Sequence, residues 1–287
     1  MRRAILPRFV SRCVALVCLG MIPGCGGAER SSQDLATELE ACYRRWSAAG
    51  IGGDLLAWRE ESSQVSYQRT LNSLISMKER LSPQTLQNLA RFQPDLAGYT
   101  WAGVNEGPET AVMIYFGGGE DKPDQFLFLD FVRENDVWKF HWLETRNDLD
   151  DAEARWAKQD LTFLDEAPFA PIPGIPPTPP DVPRPDEIAY MRIESLGYST
   201  LVRMHGIDYG PIVDDTVETL IFGGLRRGDN RMEMTMDPIA TGGVKSFRAA
   251  VSVVVDLEGQ PAVEERFVYE PQASEVPLTH TWTITVP

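Results

Sequence analysis

Asp130 and His141 are the first pair of side chains suited to chemistry. They lie on two successive runs of alternating apolar residues, 125–133 and 137–145, separated by Asn135-Asp136. If that dipeptide forms a two-residue turn, cross-strand partners have numbers that sum to 271, and Asp130 stands opposite His141. A carboxylate beside an imidazole raises its proton affinity and can orient it as a base. The same register collects Leu127, Leu129, Phe131, Trp138, Phe140 and Trp142 on the other face. A turn at Glu134-Asn135 would keep those faces. Asp130 and His141 then point away from the aromatic face, where an ion pair or a subunit or domain contact is the expected role. Trp138, Phe140 and Trp142 form a candidate ligand-lining stripe, although aromatic residues on a sheet face ordinarily pack against helices.

Other reactive residue types are scattered. His141, His205 and His280 fall in different elements without metal-ligand spacing, so no metal is expected. Cys42 shares helical spacing with Leu35, Leu39 and Trp46, which reads as a packed, inert thiol. Gly117-Gly118-Gly119 is followed by Glu120-Asp121, which would repel phosphate. Asp148, Asp150, Asp151 and Glu153 suit the first turn of a helix better than a calcium loop. No Gly-x-Ser-x-Gly elbow or Ser-x-x-Lys motif occurs. No catalytic set and no cofactor are assigned.

The start of the chain carries an address. Arg2, Arg3, Arg8 and Arg12 precede the apolar run 14–19, which leads to Ile22-Pro23-Gly24-Cys25. A basic start, a short apolar run and a small residue describe an export signal. The run is shorter than the about 20 residues a bilayer span needs. The ending resembles the lipobox of bacterial lipoproteins, which implies lipidation at Cys25 after removal of residues 1–24. Residues 25–33 would be a tether. A cut after Ala28, releasing a soluble protein, is the alternative. Gly26 resembles the residue found in lipoproteins sorted to the outer membrane. The resemblance therefore implies a bacterial cell-envelope location, with the membrane as a partner through the lipid.

Charge narrows the partners further. The chain has 27 basic and 42 acidic residues; losing the four signal arginines leaves 23 basic residues and a net charge of −19. That balance disfavours nucleic acid and anionic headgroups.

The elements that must position these residues fall into two parts. Nine prolines lie between Pro168 and Pro185, a stretch roughly 55 Å long if fully extended at about 3.1 Å per residue, so residues 166–186 read as an extended linker. Before it, capping and periodicity predict helices ending at Gly50, over 54–61, over 67–81 and from Ser82-Pro83 onward. Strands follow at 98–105, 110–116, 125–133 and 137–145, then a helix over 147–164. Helices followed by a sheet ending in Glu134-Asn135-Asp136-Val137-Trp138-Lys139-Phe140, with Gly53-Asp54 between the first helices, resemble the NTF2-like (cystatin-like cone) fold. Residues 34–165 are thus expected to form an α+β domain, helices packed on a curved antiparallel sheet. Residues 187–287 read as all-β, with seven short strands suggesting a sandwich. In the last strand Leu278, His280, Trp282, Ile284 and Val286 alternate with threonines. The stretches 201–207 and 225–234 resemble jelly-roll or Ig-like modules that accompany carbohydrate enzymes.

The expected function is a non-catalytic envelope binding or scaffolding protein whose sandwich meets an envelope protein or glycan. The rival is a small-molecule enzyme or sensor using the NTF2-like cavity. A homodimer formed through the sheet face carrying Asp130 is the third reading.

Overall fold

The computed structural model describes residues 31–118, 124–147, 149–240, 245–257, 260–271 and 279–287. The export signal, Cys25 and most of the tether lie outside these residues, as do Gly119, Glu120, Asp121, Asp148 and Leu278.

Helix α1 (Ser32–Gly52) buries Leu35, Leu39, Cys42, Tyr43, Trp46 and Ala49, an apolar stripe at intervals of three and four. It runs past the expected stop at Gly50. That glycine is buried, and a Cβ there would come within 3.2 Å of the Ala90 Cβ. Close packing on helix α4 (Pro83–Ala90) therefore explains Gly50, while Gly53, at φ 69°, ends the helix. Asp54 caps helix α2 (Leu55–Glu61) by accepting from the Leu56 and Ala57 amides. Helix α3 (Gln64–Ser76) begins earlier than its periodicity implies, because Ser63 supplies the cap. Ser82 and Pro83 open α4 as expected.

Strands β1 (Tyr99–Glu106), β2 (Thr110–Gly117), β3 (Gln125–Glu134) and β4 (Val137–Arg146) form an antiparallel meander in the order β1-β2-β3-β4. Asn135 and Asp136 have φ of 51° and 63°, as a tight hairpin turn between right-twisted strands requires. From Glu134↔Val137 to Phe131↔Phe140 the pairing follows the 271 sum. There it breaks. Asp130 pairs with Trp142, and His141 is the extra residue of a β-bulge. Beyond the bulge β4 presents the opposite set of side chains. Leu143 packs against the helix-side core, whereas Trp142 leaves the aromatic stripe and is 48% exposed.

Both faces of this sheet are covered. On one side Met113, Leu127, Leu129, Phe131, Trp138 and Phe140 pack with residues of α1, α2 and α4. On the other, Val112, Ile114, Phe126 and Phe128 meet Ala152, Phe163 and Phe169. This second cover is not the single helix expected over 147–164. Helix α5 (Asp150–Trp156) is short, and two 3-10 turns, Thr162–Asp165 and Ala167–Phe169, follow it. Gln159 sits at φ 60° and the Asp160 carboxylate accepts from the Thr162 amide, a local bond that competes with helix.

The remaining strands form one curled antiparallel sheet: β5 (Ala189–Met204), β6 (Ile207–Leu220), β7 (Gly228–Pro238), β8 (Ser246–Leu257), β9 (Gln260–Tyr269) and β10 (Thr279–Val286). Its order is β10-β7-β5-β8-β9, with β6 also on β5. Two expected strands, 188–194 and 200–205, are thus the single strand β5. Its first half pairs with β8 and its second with β7, the change falling around Gly197 at φ 78°. Met191, Val202, Met234, Val251, Trp282 and Ile284 fill one core inside the curl.

The proline-rich segment does not stand free as a rod. The Thr110 hydroxyl donates to the Ile172 carbonyl (2.7 Å), and the Asn72 amide donates to the Pro180 carbonyl (2.9 Å). Val182 is buried in the core of the second sheet, and Ile75 of α3 packs against that same core. Ser76, fully buried, accepts from the Gly223 amide (2.8 Å) and donates to the Asn72 carbonyl (2.5 Å). Extended proline-rich backbone cannot satisfy its own carbonyls, so side chains of α3 and β2 do so. Ser76→Ala leaves the Gly223 amide unsatisfied and is expected to cost about 1–3 kcal/mol in urea denaturation; an unchanged midpoint would refute the bond's role.

Candidate functional site

The bulge at His141 is where the chain's reactive groups gather most closely. Ser62 bridges β4 at Phe140, and the Ser63 amide donates to the Phe140 carbonyl (2.8 Å). The start of α3 thereby covers the free edge of β4. The Ser63 Oγ lies 2.9 Å from His141 Nδ1 and also accepts from the Ser66 amide (3.1 Å). A hydroxyl has one proton and two lone pairs, so Ser63 can serve Nδ1 as donor or acceptor while still accepting from Ser66. His141 is 3% exposed. Burial, aided by the Arg69 guanidinium, pushes its pKa down to about 4, so the ring is neutral near pH 7.

A hydroxyl beside an imidazole has the distance of a nucleophile–base pair. Here the hydroxyl caps α3 and is fully buried, so substrate has no approach to it. The pair's evident work is structural: it satisfies the extra residue of the bulge.

Arg69 of α3 is half-buried near this pair, its guanidinium carbon 5.9 Å from the Trp142 ring centroid. Asp130 lies across from Trp142 and Val112, not from His141. It is largely buried, and desolvation together with neighbouring Glu144 pushes its pKa up to about 7. The structure thus brings His141 to Ser63, Arg69 and Trp142, and leaves Asp130 beside another acid. The expected Asp130–His141 ion pair is not formed, because the bulge separates its members.

Trp138 and Phe140, the rest of the expected ligand stripe, are core residues. Phe140 packs on Trp46 with ring centroids 3.9 Å apart, and Arg133 lies 4.4 Å from the Trp138 ring centroid. Cys42 donates to the Trp138 carbonyl (3.4 Å), and burial pushes its thiol up to about 12, which makes it unreactive at neutral pH. Sequence reasoning missed Ser63, Arg69 and Glu144. Ser63 carried a signal, a serine before an apolar-periodic run, but nothing in the sequence ties it to β4.

A second site lies on the outer face of the curled sheet. Tyr190 and Arg192 of β5, Arg248 of β8, and Glu218 and Glu265 of β6 and β9 surround a floor of Ala250 and Ser252, a trough of about 670 Å³. Arg248 and Glu265 pair across it at 2.9 Å. Val254, Pro261, Ala262 and Val263 complete the lining, so charged groups and an apolar strip share one trough with room for an extended ligand.

His205 Nε2 donates to the Gly224 carbonyl (2.8 Å), and His280 stacks on Tyr269 with centroids 5.1 Å apart. Among the described residues no three His, Cys, Asp or Glu side chains converge as a metal site would require, and no helix is long and apolar enough to cross a membrane. Compared with protein-family models, with curated proteins and with solved structures, the chain matches none.

Proposed function

We propose that this chain is a lipid-anchored protein of the bacterial cell envelope that binds an envelope glycan or an extended peptide without catalysing its conversion. The observation that carries this reading is the trough of Tyr190, Arg192, Arg248, Glu218 and Glu265 on the outer sheet face. Planar guanidinium groups, carboxylates and a tyrosine ring are the donors, acceptors and stacking surface that polyhydroxy or peptide polymers need. The anchor is Cys25, supported by the basic start and short apolar run before it. On this reading the first part is an NTF2-like α+β domain, supported by helices packed on one face of a four-stranded meander. The second part is a jelly-roll or Ig-like sandwich, supported by the single core inside its curled sheet.

The NTF2-like cavity is the less favoured place for a ligand, since Trp46, Trp138 and Phe140 fill the helix-side face. Co-sedimentation of the full chain with isolated envelope polymer is the test. Tyr190→Ala with Arg192→Ala is expected to weaken retention at least about tenfold, the equivalent of about 1.4 kcal/mol. Retention unchanged in the double variant would reject the trough. In fractionated cells Cys25→Ser should remove the protein from the membrane-bound, lipidated pool, and an unaltered intact mass would reject the anchor.

A further inference from the structure

Among the described residues the curled sheet has three strands with an unpaired side: β6, β9 and β10. Two carry the residues that discourage a further strand. β6 has Asp208, Pro211, Asp214, Asp215 and Glu218, and β9 has Pro261, Glu264, Glu265 and Arg266. Charges and prolines on an edge blunt strand addition. β10, Thr-His-Thr-Trp-Thr-Ile-Thr-Val, has no acidic, Lys, Arg or Pro residue. Its eight residues pair with β7 without any register shift, so the strand is long and regular. Thr279, Thr281, Thr283 and Thr285 are exposed, while Trp282, Ile284 and Val286 are buried beneath them.

We infer that β10 is an interface between two copies of this chain, each adding its β10 antiparallel to the other across a twofold axis. Self-complementarity argues for a second copy as the occupant. Centred on Thr283, the pairing sets Thr281 opposite Thr285 and Trp282 opposite Ile284. Centred on Trp282, it sets Thr281 opposite Thr283 and His280 opposite Ile284. In both registers each central threonine meets a threonine, a stabilising cross-strand pair, and the apolar face stays continuous. Such a contact is isologous and closes at two copies. Charge also selects this edge. Two chains of net charge −19 without the signal arginines repel, and β10 is the edge that brings no carboxylates together. One strand pair buries less than the about 1,200–2,000 Å² of stable complexes, so the dimer is concentration-dependent and strengthens as salt screens the repulsion.

Sedimentation velocity of the full chain in mild detergent, from low to high micromolar concentration, tests this. A monomer–dimer equilibrium shifted toward dimer by added salt is expected. Thr283→Lys, at an exposed position, is expected to weaken the dimer at least about tenfold with an unchanged melting temperature, and Thr283→Glu likewise. An equimolar mixture of the two should restore dimer, because position 283 lies at or next to the axis. A wild type monomeric throughout, a Thr283→Lys dimer of undiminished strength, or a mixture that stays monomeric would each overturn the inference. Were the lysine variant to melt early, Thr281→Lys provides the same readout one pair away.

Discussion

Phe140→Ala is expected to lower the stability of the fold by about 3–5 kcal/mol, whereas Trp142→Ala, two residues along the same strand, lowers it by no more than about 1 kcal/mol. An unbroken strand would put both rings on one face and make the losses similar. The bulge at His141 separates them. Phe140 is 2% exposed and touches Tyr43, Trp46 and Phe131, so truncation opens a cavity among large rings. Trp142 keeps half its surface in water and stands to lose chiefly its contact with Arg69. Urea denaturation at constant slope measures both values. Comparable midpoints for the two variants would mean that the strand continues without the extra residue.

Asp130→Asn is expected to stabilise the protein at pH 8 by roughly 2–4 kcal/mol, and to do little at pH 3.5. In the folded chain the carboxyl holds its proton up to about pH 7, well above its usual range near 3.8, because burial and Glu144 disfavour the charge. Its favourable contribution is therefore complete below about 3.8 and disappears as pH rises through about 7. His141 has the opposite slope. Its imidazole resists protonation down to about pH 4, so its contribution is complete above 6.5 and falls away as pH drops from 6.5 toward 4. Between about 4 and 6.5 the two slopes oppose each other, and wild-type stability should vary little there. Substituting asparagine removes one slope and exposes the other. Equal effects of the substitution at pH 8 and pH 3.5 would show that Asp130 is not held protonated by the fold.

What could be read from residue order alone divides along physical lines. Local signals were legible: the Ser82 cap, the two-residue turn at Asn135-Asp136, and the threonine alternation of β10 each depend on a few neighbouring residues. The Phe131–Phe140 register was legible too, since a tight turn fixes it. The bulge was not, because it answers to Ser63, 78 positions away, which gives the extra residue its hydrogen bond. With it went the expected Asp130–His141 pair and the place of Trp142. The proline-rich stretch was readable as extended backbone but not as docked backbone. Proline content fixes φ, whereas Asn72 and Val182 decide what the segment lies against. Ser63 and Arg69 entered the candidate site through tertiary contact alone.

Helix α3 starts at the bulge of one sheet and ends with Ile75 and Ser76 in the core of the other. Its last turn is therefore common property. Heating should melt residues 32–287 in a single calorimetric transition, because neither sheet can lose its packing without baring part of this helix. A truncation at the prolines would not yield two tidy modules: the C-terminal piece would show an apolar hole where Ile75 had been. Anyone transplanting the curled sheet to another scaffold must carry α3 along or refill that hole.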